Sequence, residues 1–211
     1  MKTDDLITLL AEDAPVRTRL GPVVAFALLA GIAISAIVFI STIGMRRDMA
    51  DAMETARVLL KIGVTLALAI AASSLVFRIG RPAAPLKTRS LLLLIPLALI
   101  AAAVVAELAM VPSDSWRTRM MGNNARFCLL FIPLLALAPL TAFMIALRNG
   151  APDNPGLSGA VAGLASGAVA AAIYAWHCTD DSPLFVATWY TLAIAIVTAV
   201  GYFAGRRILR W

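Results

Sequence analysis

Six runs of about 20 residues, nearly free of charge, constrain this chain more than any other feature; they fall at roughly 21–43, 58–77, 90–111, 127–147, 157–176 and 184–204. An α-helix of that length crosses the roughly 30 Å hydrocarbon layer of a bilayer. A membrane β-barrel would instead show alternating segments of about 10 residues, and the sequence has none. Inside lipid the backbone must satisfy its own hydrogen bonds, which favours continuous helices. The apolar excess agrees: 61% of the 211 residues are hydrophobic and the mean hydropathy is +0.89. One soluble core of this size does not hide that much apolar surface. The expected fold is therefore all-α, a polytopic membrane protein with six transmembrane helices. Its parts are an N-terminal segment (1–20), a six-helix domain (21–205) and a short tail (206–211). The second run has the least defined start, because Arg57 and Lys61 sit at its edge. The first 20 residues are too polar for the apolar region of a signal peptide, so the first run is read as a retained helix.

An even number of spans puts both termini on one side. Eleven of the 18 Lys and Arg residues fall on that side and seven on the other. The positive-inside rule then makes both termini cytoplasmic. The loop RIGRPAAPLKTR (78–89), with four cations and no acid, carries most of that bias. The net charge of +6 is accordingly a topology signal, and no direct nucleic-acid contact is expected.

In this orientation the rarest chemistry of the chain lies outside. The stretch YAWHCTDDSPLFVATWY (174–190) holds the only histidine, His177, and one of two cysteines, Cys178. Cys128 sits at the outer end of the fourth run. Reduced thiols, a disulfide, and ligation of a soft metal together with His177 and the acids Asp180 and Asp181 all fit these residues. A simpler reading covers part of the turn. Ser182–Pro183 is a good start for the sixth helix, with Asp180 and Asp181 favoured near its positive end. Asn123 and Asn124 are expected to cap the fourth helix, and Glu107 to hold a structural place near the outer interface. Trp176, Trp189, Tyr190 and Trp211 fit interfacial aromatic belts. In the fifth run, Gly159, Gly163 and Gly167 recur every four residues, a spacing that lets membrane helices approach closely. Pro96, Pro133 and Pro139 interrupt the third and fourth runs and are expected to kink them.

Enzyme motifs are missing. There is no HExxH, GxSxG or glycine-rich phosphate loop, and a single histidine is poor material for acid–base work. A small transporter is the alternative from another class, with thiols that bind cargo or metal, but the runs offer few polar residues to line a path. Sensing fits better, and a sensor needs an output. MKTDDLITLLAEDAPV supplies one: Thr3 as N-cap, Asp4 and Asp5 in the first turn, an apolar stripe of Leu6, Ile7, Leu9 and Leu10, then Glu12, Asp13 and the stop at Pro15. A helix of about 11 residues is marginal alone in water and suits a partner's groove. Lipid contact is expected of the six-helix domain, and the residues leave the oligomeric state open.

Both quoted stretches, together with the six runs and the cysteine at the start of the fourth, resemble the NrsF family of bacterial membrane proteins. The HCTDDSP block (177–183) is the most specific part of the likeness. The resemblance implies an anti-sigma factor that holds an extracytoplasmic-function (ECF) sigma factor at the bacterial inner membrane until envelope stress arrives. It implies sigma contact through Asp4, Asp5, Leu6, Leu9, Leu10, Glu12 and Asp13, and sensing of oxidants or heavy metals through Cys128 and Cys178. No cofactor is required on this reading beyond a soft metal ion held transiently by the two cysteines.

Overall fold

The computed structural model describes residues 3–12, 19–81 and 86–210, and no strand occurs among them. A ten-residue helix, Thr3–Glu12, precedes the membrane domain. Asp13 and Pro15, from the expected end of that helix, and Trp211 lie outside the described residues. Six helices are long and apolar enough to span a bilayer: Leu20–Thr42, Ala56–Ile79, Lys87–Met110, Ser113–Leu147, Pro155–Tyr174 and Pro183–Ile208. These are spans one to six below. The fourth combines a short lead-in with the helix Ala125–Leu147, which runs through Pro133 and Pro139.

Span five is the axis of the bundle, packed against spans two, four and six. Of its most apolar window 72% is buried, against 11% for span three, which lies at the periphery. The glycines explain its position. A Cβ added at Gly159 would lie 2.2 Å from the Gly201 carbonyl oxygen of span six, and one at Gly163 would lie 2.5 Å from that of Val197. Only hydrogen fits at either place, so the two backbones touch. Gly167 is looser, with Ile194 at 3.3 Å. With no hydrophobic effect between helices in lipid, such close packing is the main source of association.

At the end of the bundle where span one begins, three segments meet. The Gly80 carbonyl, just past span two, accepts from the Ala151 amide at 3.2 Å. The Leu20 side chain fills the slot between Gly80 and Gly150: added Cβ atoms there would approach its Cδ2 to 2.6 and 3.3 Å.

At the opposite end span six begins irregularly. Its residues Val186–Tyr190 form a π-helical turn before the α-helix Thr191–Ile208. Tyr190, expected at the membrane interface, is buried. Its ring packs at 6.2 Å from that of Tyr174 and 6.4 Å from that of Phe185.

Candidate functional site: a thiol pair in a clamped turn

The turn Trp176–Ser182, between spans five and six, touches nearly every segment at its end of the bundle. From the loop after span one, the Arg46 amide donates to the Trp176 carbonyl at 3.1 Å. His177 Nδ1 pairs with the Gly44 carbonyl at 3.0 Å, an acceptor that fixes the proton on Nδ1. Gly44 itself sits at φ 71°, in the left-handed region that glycine enters freely.

Span two contributes Lys61. Its side chain is fully buried, donates from Nζ to the Cys178 carbonyl at 2.6 Å and forms an ion pair with Asp181. Arg46 grips the same carboxylate from the other side, Nη1 to Oδ2 at 2.8 Å, and also binds Asp48 through Nε and Nη2. A buried ammonium is tolerable only when it is paired and hydrogen-bonded, and Asp181 with the Cys178 carbonyl takes two of its three donors. The Arg46 hydrogen bonds hold Asp48 down at a pKa of about 2, and Asp48, with Asp181, pushes the guanidinium further up.

Asp180 serves a different helix from the one expected. Its Oδ2 accepts from the amides of Asn123 and Asn124, at 3.0 and 2.7 Å, and from Asn124 Nδ2 at 2.9 Å. It thus caps the helix of span four, while Asn124, at the N-cap position, makes no capping bond with its own side chain. Gly122, at φ 54°, lets the chain pass: a Cβ there would meet Phe185 at 2.5 Å and Asp180 at 2.7 Å.

The start of span six is capped by Glu107 of span three. Its Oε2 accepts from Ser182 Oγ at 2.7 Å and from the Leu184 amide at 3.2 Å. Oε1 faces Arg119 at 3.2 Å and Arg57 at 3.5 Å. Ser182 is the N-cap residue, with Pro183 following, but its hydroxyl is turned to Glu107 and makes no cap bond of its own. The expected capping therefore exists with its partners exchanged. Each carboxylate reaches across the bundle, because the local acids are taken by Lys61, Arg46 and the asparagines.

Within this frame lie the two cysteines, 50 positions apart in sequence, with their sulfurs 4.0 Å apart, both free and both buried. Cys128 is in the first helical turn of its span, its amide bonded to the Asn124 carbonyl at 2.9 Å. Cys178 is in the turn, with Sγ 3.8 Å from the Asp180 carbonyl. A disulfide needs a sulfur separation of about 2.0 Å, so bond formation requires an approach of roughly half the present distance. The Cys128 thiol donating to it, and then the Lys61 ammonium, hold the Cys178 thiol below the ordinary cysteine range against the opposing effect of burial. Tyr174 and Tyr190 line the pair, the Tyr174 hydroxyl beside Cys128 and the Tyr190 hydroxyl beside Cys178. A polar recess of about 460 Å³, lined by Arg57, Arg119, Asn123, Thr179 and Asp180, opens beside the turn.

Among the described residues no group of three or more His, Cys, Asp or Glu side chains is arranged around a common metal position. In this conformation His177 Nδ1 is engaged by Gly44, Asp180 by the span-four amides, and Asp181 by Lys61 with Arg46. Sequence reasoning placed Lys61 at a span edge and overlooked its role. The available signal was a cation within reach of an apolar run, which calls for a buried partner. Asp4, Asp5, Leu6 and Ile7 are exposed on the N-terminal helix, to which Leu9, Leu10 and Glu12 also belong.

Fold and site together define a polytopic α-helical membrane protein with a buried dithiol in the turn before its last span. More narrowly, the chain belongs to the NrsF family: the family described as "Negative regulator of sigma F" matches residues 9–211. It is similar over its whole length to two curated relatives, each also covered completely. These are the "Probable anti-sigma-F factor NrsF" of Azospira oryzae, 30% identical over 215 residues, and the "Anti-sigma-F factor NrsF" of Caulobacter vibrioides, 32% identical over 223. No solved structure matches the chain.

Proposed function

We propose that this protein is an anti-sigma factor of the bacterial inner membrane, with both termini cytoplasmic. It holds an ECF sigma factor through its N-terminal helix and releases it when envelope stress alters the thiol pair. The observation that carries this reading is the pair itself: two free, buried sulfurs 4.0 Å apart, in a turn at the end of the bundle opposite Leu20. Two thiols at this separation form a disulfide with loss of two protons and two electrons, which peroxide accepts in becoming water. A soft metal ion captured transiently by the two thiolates enters at the same place. The output is supported by the exposed Leu6 and Ile7, apolar groups on a helix too short to persist alone in water. Asp4 and Asp5, in its first turn, complement a basic partner surface.

The test is co-purification of the full chain with its ECF sigma factor from detergent, reduced and after peroxide. Reduced protein retains sigma and oxidised protein releases it. A chain lacking residues 1–15 retains none, and a Cys128→Ser, Cys178→Ser double variant retains sigma in both conditions. Undiminished binding without residues 1–15 would remove the proposed output site.

A further inference from the structure

The thiol pair and the start of span one lie at opposite ends of the bundle; spans two and four both touch the surroundings of each, span four through Cys128 and through Leu147 beside Gly80. Span two begins near the thiol turn, where buried Lys61 donates to the Cys178 carbonyl. It ends at Gly80, whose carbonyl holds the Ala151 amide and whose missing side chain makes room for Leu20. The 19 intervening steps of helix cover about 28 Å.

We propose that Lys61 is the positioning residue through which the state of the Cys128–Cys178 pair is passed along span two to the Gly80–Leu20–Gly150 contact. This inference rests on the thiol-sensing reading above and names the route by which it works. Both cysteine amides hold the carbonyl four residues back, Cys128 that of Asn124 and Cys178 that of Tyr174, but the Cys178 carbonyl lies past the end of span five and outside any helix, so closing the sulfur gap displaces that carbonyl. That carbonyl is one of the two acceptors of a fully buried ammonium. Lys61 then either follows it or leaves a buried donor unused, which is costly in an apolar interior. Following is the cheaper course, because Asp181 keeps its bond to Arg46 when Lys61 moves. Packed helices shift between discrete arrangements, and a shift of span two displaces Gly80 against Leu20. At that contact Leu20 Cδ2 lies 2.6 Å and Leu147 Cδ2 3.1 Å from where a Cβ on Gly80 would stand, so a movement of Gly80 is felt by both side chains.

The experiment is hydrogen–deuterium exchange on the full chain in lipid nanodiscs, before and after diamide, which takes two hydrogens from the thiols as the disulfide forms. Mass after alkylation reports the disulfide, and peptides containing Ala151 and Leu20 report the far end. In the wild type, exchange at Ala151 changes by about tenfold on disulfide formation, within the usual range of coupling between sites. Lys61→Met forms the disulfide but leaves Ala151 and Leu20 unchanged, and Lys61→Arg restores the response. A merely structural lysine would lower stability in both thiol states without separating the disulfide from the far-end response. Should Lys61→Met fail to fold, the shorter and uncharged Lys61→Gln takes its place: the disulfide forms and the Ala151 response is lost.

The inference is overturned if Lys61→Met, or Lys61→Gln in its place, responds at Ala151 as the wild type does, or if the wild type forms the disulfide with no far-end change. Sigma binding is read separately. A wild type that shows the Ala151 change yet keeps its sigma refutes the anti-sigma mechanism and leaves the Lys61 route intact.

Discussion

Ser182 donates its hydroxyl to Glu107 Oε2 at 2.7 Å, across 75 positions of sequence. This bond, with the Leu184 amide on the same oxygen, seats the first turn of span six on span three. Span three is otherwise loosely held, with 11% of its window buried. Replacing Glu107 by Ala leaves a hydroxyl and an amide without their acceptor, at about 1–3 kcal/mol for each group that stays buried and unpaired. Glu107→Gln keeps an acceptor oxygen and costs less. Thermal unfolding in detergent should rank wild type above Glu107→Gln, and Glu107→Gln above Glu107→Ala. Equal melting of wild type and Glu107→Ala would show that the seat is not structural.

The glycine face offers a contrast within one molecule. Gly159→Ala forces a methyl to within 2.2 Å of the Gly201 carbonyl oxygen. The two spans must separate, at about 1–3 kcal/mol for overpacking. Gly63, on span two, has nothing within 4 Å of an added Cβ, so Gly63→Ala should be neutral or stabilising by about 0.4–1 kcal/mol through the unfolded chain. Unfolding by graded denaturing detergent distinguishes the two.

Six spans were legible because a bilayer imposes one length on every helix that crosses it, and the expected ends fall within a few residues of the observed ones except at span four, whose lead-in begins at Ser113 rather than near 127. The glycine face was legible for a related reason: a four-residue repeat maps onto one side of a helix. The roles of Asp180, Asp181 and Glu107 were not. Local spacing suggests that an acid caps the next helix, but each has a partner far off in sequence: Asn124 is 56 positions from Asp180, Ser182 is 75 from Glu107, and Lys61 and Arg46 are 120 and 135 from Asp181. Tyr190 was misplaced in the same way, since an aromatic near a span end reads as interfacial until the residue it packs against is known. The nearness of Cys128 and Cys178 was required by the sensing idea without being derivable from spacing, and the close contact of span five with spans four and six supplies it.

Thiol chemistry should follow pH in an ordered way. The folded state holds Cys178 below the usual cysteine pKa of about 8.5. Its thiolate is therefore present at a pH where an ordinary thiol is still protonated, and is lost only as pH falls through the depressed value. In the wild type, Cys178 should react with methyl methanethiosulfonate at a lower pH midpoint than a free cysteine in the unfolded chain. Cys128→Ala removes the thiol that donates to Cys178, and its midpoint should rise. Peptide mass spectrometry after timed labelling measures both. A midpoint unmoved by Cys128→Ala would mean that the neighbouring sulfur does not stabilise the thiolate.

Tyr174 and Tyr190 each bury a hydroxyl beside a sulfur, Cys128 for Tyr174 and Cys178 for Tyr190. After the Cys128 thiol, which acts most strongly, the Tyr190 hydroxyl also donates to Cys178 and helps to hold its pKa down, so Tyr190→Phe should raise the labelling midpoint of Cys178. Tyr174→Phe, beside the other sulfur, should move it less. A midpoint equal to that of the wild type in Tyr190→Phe would show that this hydroxyl does not support the thiolate.

The widened turn at Val186–Tyr190 makes chain length itself part of the design. Five residues apart on an ordinary α-helix point in diverging directions, yet Phe185 and Tyr190 bring their rings to 6.4 Å. The extra residue accommodated by a π turn lets the sulfur-facing aromatics and the smooth lower seam of the last span share one continuous rod. Excising one amino acid from that short interval would set the two halves out of phase: either the aromatics would turn away from the sulfurs, or the seam would lose its fit.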